Sequence, residues 1–170
     1  MSGHPLDRRY HHDDPPYYFA PPIDTAVPPG GRYRVLLAED NATNQKLAAR
    51  LLEKLQCRVD VAADGKEAVA LATRLPYDLI FMDCHMPELD GFKATAEIRR
   101  WEAGEAEARP SVTQRAGSRV PIIAVTASAM ESDRAACADA GMDDFISKPI
   151  RSDDLRQALA KWCDAPVKAP

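Results

Sequence analysis

Three carboxylates, a hydroxyl and an ammonium stand at the ends of apolar runs in this 170-residue chain. Glu39 and Asp40 follow the run Tyr33 to Ala38, and Asp83 closes Asp78-Leu79-Ile80-Phe81-Met82. Thr126 closes Pro121-Ile122-Ile123-Ala124-Val125, and Lys148 follows Asp144-Phe145-Ile146-Ser147. Brought together, these groups can handle a phosphoryl group. A carboxylate can attack phosphorus and hold the group as an acyl phosphate. Three crowded carboxylates push one another's pKa upward unless a divalent cation lies between them. Magnesium suits that place, because it takes oxygen ligands, one or two carboxylates among them, and leaves room for a phosphate oxygen. It also neutralises charge that develops during transfer. Lys148 can meet a second phosphoryl oxygen as a point charge, and the Thr126 hydroxyl and nearby backbone N–H groups can donate to the rest. Singly, each residue has a plainer reading: a helix cap for Glu39-Asp40, a loop cap for Asp83, an ordinary strand end for Thr126, a surface charge for Lys148. Their joint placement at four strand ends is what carries the chemistry.

The surrounding pattern must supply those ends. Residues 33–38 form a short continuous apolar run, the mark of a strand buried on both faces. A helix follows with Leu47, Leu51, Leu52 and Leu55 on one face, capped by Asn41 or Thr43. Residues 58–62 read as a second strand. Asp64-Gly65 opens a helix whose apolar side is Ala68, Val69, Ala72 and Leu75. Residues 78–83 are a third strand, followed by a helix from Gly91 to Trp101 with Phe92, Ile98 and Trp101 inward. Residues 121–126 are the fourth strand, 132–140 a short helix ending at Gly141, and 144–147 the fifth strand. The last helix starts near Ser152 and buries Leu155, Leu159 and Trp162. Five strands alternating with five helices predict an α/β fold, a five-stranded parallel sheet covered by helices on both faces. Ligands of such folds bind beyond the carboxyl ends of the strands, where strand order reverses. All the residues singled out above lie at such ends.

From Tyr33 to Trp162 the chain resembles the receiver domains of two-component response regulators and hybrid histidine kinases. The motifs that carry the likeness are Leu36-Leu37-Ala38-Glu39-Asp40-Asn41, Met82 to Gly91, Ala124-Val125-Thr126-Ala127 and Phe145-Ile146-Ser147-Lys148-Pro149. The resemblance implies a flavodoxin-like sheet of order 2-1-3-4-5 and Asp83 as phosphoacceptor. It implies Glu39, Asp40 and Asp83 around Mg2+, with the His85 backbone carbonyl completing the protein ligands. It also implies Thr126 and Phe145 as a coupled switch pair, Lys148 as the phosphoryl-contacting lysine, and a cis Lys148–Pro149 bond. Phe145 lacks the hydroxyl of the Tyr in many relatives, so it should favour a buried rotamer, having no O–H to desolvate. His85 and Ser128, each two residues past a site residue, are expected to tune the lifetime of the acyl phosphate. Such a module is a signalling phosphoacceptor rather than an enzyme acting on other molecules. Its expected partners are a histidine kinase or a histidine phosphotransfer domain. A small aspartyl-phosphate phosphatase is the alternative, but its nucleophile follows the first strand in a D-x-D pattern and here follows the third. A receiver-like binding module without phosphorylation would not need Asp83, Thr126 and Lys148.

The rest of the chain sets limits. Net charge is −4 with no Lys/Arg block, which argues against nucleic acid or anionic membrane as partner. No apolar stretch approaches the roughly 20 residues of a membrane span, and no signal peptide opens the chain. Cys57, Cys84, Cys137 and Cys163 are scattered and read as reduced thiols of a cytoplasmic protein. Half of the 14 prolines fall in residues 1–31, a disordered or extended arm. His11-His12-Asp13-Asp14 within it is a solvated stretch rather than a preorganised metal site. The receiver is expected over 32–164 and a tail over 165–170. Residues 102–119, with Gly104, Pro110 and Gly117 as breakers, are expected to be a mobile insertion at the amino end of the fourth strand. Seven residues follow Cys163, too few for an output domain. The module is therefore expected to act by protein contacts or phosphoryl exchange, as a monomer or a weak phosphorylation-dependent dimer.

Overall fold

β1 (Tyr33–Ala38) runs through the interior of a five-stranded sheet, paired in parallel with β2 (Cys57–Ala62) on one side and β3 (Leu79–Asp83) on the other. β4 (Ile122–Thr126) pairs with β3 and β5 (Asp144–Ser147) with β4, so the order is β2-β1-β3-β4-β5, all parallel. The computed structural model describes residues 31–105, 119–128 and 130–164. The arm expected over 1–31 lies outside them except for Gly31, as do the tail over 165–170 and residues 106–118 of the expected insertion.

Strand alternation sorts the core onto two faces. Leu36, Ile80, Met82, Ile122 and Ala124 face α2 (Gly65–Arg74), α3 (Gly91–Glu102) and α4 (Glu131–Ala140). Val35, Leu37, Phe81, Ile123 and Val125 face α1 (Ala42–Lys54) and α5 (Ser152–Trp162). Such two-sided burial is why the inner strands read as unbroken apolar runs. Asn41, not Thr43, caps α1, its side chain accepting from the Thr43 and Asn44 N–H groups. Leu47 departs from the expected stripe: it is 50% exposed, while Ala48 and Leu52 are buried. One residue is about 100° of helix, so a stripe centred on Ala48 and Leu52 turns Leu47 to solvent.

The expected insertion begins later than Glu102. Glu102 closes α3, and its carboxylate accepts the Val120 N–H (2.9 Å) and an Arg99 Nη1–H (2.7 Å). Arg99 also pairs with Asp143 (2.7 Å) and donates to the Val120 and Gly141 carbonyls, and Asp143 accepts the Ile122 N–H. Arg119 reaches Asp143 and the Gly141 carbonyl from the other side. Both ends of the connection are therefore bound to one charged cluster at the amino end of β4. All four cysteines are free. Burial pushes the Cys57 thiol up to about 11 and the Cys163 thiol to about 12, so both stay protonated at neutral pH.

Candidate functional site

Strand register puts the chemical groups at one level. Ala38 is opposite Met82, so Glu39 and Asp83 leave adjacent strands together at the crevice between β1 and β3. Asp83 is opposite Val125 and Thr126 opposite Ser147, which brings Thr126 and Lys148 to the same rim. The strand order reverses at that crevice, since β2 lies on one side of β1 and β3 on the other.

Asp83 is buried, and both its oxygens are engaged. Oδ1 accepts the His85 N–H (3.1 Å) and Oδ2 accepts Lys148 Nζ (2.8 Å). Lys148 Nζ also lies 3.2 Å from Glu39 Oε2. Burial alone would pull the Lys148 ammonium down, but the Asp83 hydrogen bond and the charges of Asp83 and Glu39 outweigh it and hold it up. Glu39 is almost fully buried, and burial first, then the Asp83 charge, raises its carboxyl against the opposing Asn41 N–H and Lys148. Its Oε2 is buried without a hydrogen bond of good geometry. Carboxylate oxygens of Glu39, Asp40 and Asp83 all lie within 4.8 Å of one another, Asp40 being the exposed one. An oxygen-only donor set with a buried, unsatisfied lone pair fits a hard divalent cation such as Mg2+.

The backbone around Asp83 leaves no slack. A Cβ on Gly91 would lie 2.1 Å from the Asp83 carbonyl oxygen, and the Gly91 N–H donates to the Cys84 carbonyl. The His85 imidazole is exposed and meets the Phe92 ring edge-on, centroids 6.1 Å apart. Thr126 is turned to its own loop: Oγ1 donates to the Ser128 carbonyl (2.8 Å) and accepts the Ser128 N–H (3.1 Å), rather than donating to Asp83. Ser128 Oγ accepts the Met130 N–H (3.4 Å) and so belongs to that turn. Phe145 is half-buried against the core facing α2 to α4. The Lys148–Pro149 bond is cis. The structure thus gathers Glu39, Asp40, Asp83 and Lys148 tightly, with Thr126, Ser128 and His85 at the rim and Phe145 one strand away. Sequence reading missed Arg134, whose guanidinium lies over the Phe145 ring (4.5 Å to the centroid). A single arginine on a helix gives no sign of which strand it will reach.

Comparison with known proteins agrees with this geometry. Residues 35–160 match the family model described as the response regulator receiver domain. The chain is 43% identical over 129 residues to hybrid signal transduction histidine kinase B of Dictyostelium discoideum, a match covering 75% of this chain and 6% of that protein. The chain therefore spans a small part of the length of the curated relatives it matches. Among solved structures, the receiver domain of a sensor histidine kinase from Pseudomonas aeruginosa PAO1 has a magnesium ion coordinated in its active site cleft. It is 42% identical with a TM-score of 0.65, covering 78% of this chain and 98% of that one. A receiver domain from Saccharomyces cerevisiae, crystallised with a histidine phosphotransfer protein, is 29% identical with a TM-score of 0.67, over 81% and 94%.

Proposed function

The chain belongs to the response regulator receiver domain family, the phosphoacceptor modules of phosphorelays, and we propose that Asp83 is the residue that carries the phosphoryl group here. One observation supports this above others. Asp83 is the buried carboxylate at the β1–β3 crevice with an ammonium 2.8 Å from one oxygen and two further carboxylates within 4.8 Å. In the proposed step an Asp83 oxygen attacks the phosphorus of a phosphohistidine, the O–P bond forms as the P–N bond breaks, and the imidazole leaves. Lys148 holds charge on the transferred group, and the His85 N–H keeps the Asp83 carboxylate oriented. Glu39, Asp40, Asp83 and the His85 carbonyl are the residues that would hold Mg2+, as the related Pseudomonas aeruginosa receiver holds magnesium in its cleft. When bound, the ion neutralises charge on the phosphoryl oxygens.

Thr126 and Phe145 form the switch in this reading. A phosphorylated Asp83 offers new acceptor oxygens, and the Thr126 hydroxyl moves to them only by leaving the Ser128 carbonyl. That movement opens space toward which Phe145 can turn, so phosphorylation biases a two-state equilibrium. His85 and Ser128 tune how water reaches the acyl phosphate. The donor is a histidine kinase or a histidine phosphotransfer domain, in keeping with the yeast receiver's co-crystal partner. The receiver unit is residues 32–164, with residues 1–31 as an arm and 165–170 as a tail. It works in the cytoplasm as a monomer or weak phosphorylation-dependent dimer and catalyses no reaction beyond its own phosphorylation and dephosphorylation. Its acidic net charge of −4 favours protein partners over nucleic acid or an anionic membrane surface.

Incubation with acetyl phosphate and Mg2+ tests the assignment. The expected product is an acid-stable, hydroxylamine-labile phosphoryl group, absent from Asp83→Ala and from protein treated with EDTA. Persistence of the label in Asp83→Ala would overturn it.

A further inference from the structure

α4 is weakly held. Of its ten residues only Cys137 is buried, and Met130 before it is exposed and offers no side-chain cap. An element with so few buried groups opens at low free energy. Arg134 lies one turn into this helix, its guanidinium 4.5 Å from the Phe145 ring centroid. That is inside the range of about 6 Å over which a ring face attracts a cation. The guanidinium forms no ion pair with any described residue. Its backbone N–H donates to the Met130 carbonyl (3.2 Å), and the Met130 N–H donates to Ser128 Oγ. The Ser128 carbonyl in turn holds the Thr126 hydroxyl. Phe145, α4 and Thr126 are thus joined by a continuous set of contacts, with Arg134 the charge of α4 that meets the Phe145 ring.

We propose that Arg134 is a positioning residue that latches the switch: its stack on Phe145 stabilises the arrangement in which Thr126 bonds to Ser128 and not to Asp83. Phosphorylation must break this stack to draw Thr126 across, so Arg134 sets how much of the population responds to a given amount of phosphoryl donor. The inference rests on Asp83 as phosphoacceptor and on Thr126 and Phe145 as the switch. It goes beyond them in naming the side chain that opposes the switch.

The test titrates Mg2+-loaded wild type, Arg134→Gln and Arg134→Lys with beryllofluoride, which mimics a phosphoryl group on a carboxylate, and follows amide NMR signals. Arg134 is exposed, so the variants retain the fold, which the same spectra verify. Losing the latch should tighten beryllofluoride binding by about two- to fivefold in Arg134→Gln, the scale of an exposed cation–π contact. Amides of residues 131–140 should also exchange faster. Arg134→Lys keeps a cation over the ring and should stay near wild type. Loss of one positive charge near an anion site would by itself weaken binding, so the direction separates latch from simple electrostatics. Unchanged or weaker binding in Arg134→Gln overturns the latch, as does an Arg134→Lys variant that behaves like Arg134→Gln. If wild type fails to bind beryllofluoride at all, the phosphoacceptor reading falls, and the latch with it.

Discussion

Asp83 meets two kinds of donor, a fixed backbone N–H and a flexible ammonium, and the difference matters for what each can do. The His85 N–H is held by the chain itself and orients one oxygen (3.1 Å). Lys148 is shared between Asp83 and Glu39 and can follow charge as it moves. The His85 side chain stands clear of that work, exposed and edge-on to Phe92. If it limits the approach of water, His85→Ala should shorten the acyl-phosphate half-life with phosphorylation itself intact. An effect of roughly 0.5–1 kcal/mol corresponds to about two- to fivefold in rate, readable as loss of labelled phosphate after removal of donor. An unchanged half-life would leave His85 with no tuning role. The motif around Asp83 was legible because the strand, the carboxylate that ends it and the turn that follows are contiguous in the chain. The Thr126–Ser128 turn was not, because a hydroxyl can bond to its own backbone or to a neighbouring site, and only the loop's conformation decides which.

Among the elements, α3 and the segments flanking β4 depend on Arg99. Its guanidinium serves Glu102, Asp143 and the Val120 and Gly141 carbonyls together, and the Arg99 and Asp143 side chains are only 13% and 16% exposed. Removing it takes the ion pair from Glu102 and one of two from Asp143, which keeps Arg119, with little solvent to compensate. Arg99→Ala should therefore lower the unfolding free energy by about 3 kcal/mol, near the lower end for breaking a buried pair, as read by urea denaturation. The variant should still be phosphorylated, since Ile122 and Thr126 are about 13 Å apart along β4 at the usual rise per residue. A loss below about 1 kcal/mol would mean that the cluster behaves as surface charge. Helix placement was well anticipated because amphipathic periodicity reports burial directly. Leu47 was the exception: four leucines satisfied a helical template, but the sheet selected the stripe through Ala48 and Leu52.

At the scale of the molecule, the two ends of the sheet have separate duties. The carboxyl ends of β1, β3, β4 and β5 gather Glu39, Asp40, Asp83, Thr126 and Lys148, while the amino end of β4 anchors the connection after α3 through Glu102 and Arg119. Replacing residues 106–118 by a short Gly-Ser linker should leave acetyl phosphate labelling of Asp83 within about twofold of wild type, a difference of roughly 0.4 kcal/mol. A large loss of labelling would connect that segment to the site. The burial of the Cys57, Cys84 and Cys137 thiols and the absence of a disulfide among the described residues leave noncovalent packing on both faces of the sheet to hold these ends in place.

The amino-acid sequence by itself determined the alternation of strands and helices, the strand ends and the residue types at them, because hydrophobic periodicity and helix-capping chemistry act over a few neighbouring residues. It therefore also determined that Glu39, Asp40, Asp83, Thr126 and Lys148 stand at strand ends. The tertiary structure alone decided the distances between them, which hydrogen bond Thr126 makes, that Glu102 belongs to the scaffold, and that Arg134 reaches Phe145. Those outcomes depend on register and on packing between elements distant in the chain, where a shift of one residue turns a side chain to the opposite face.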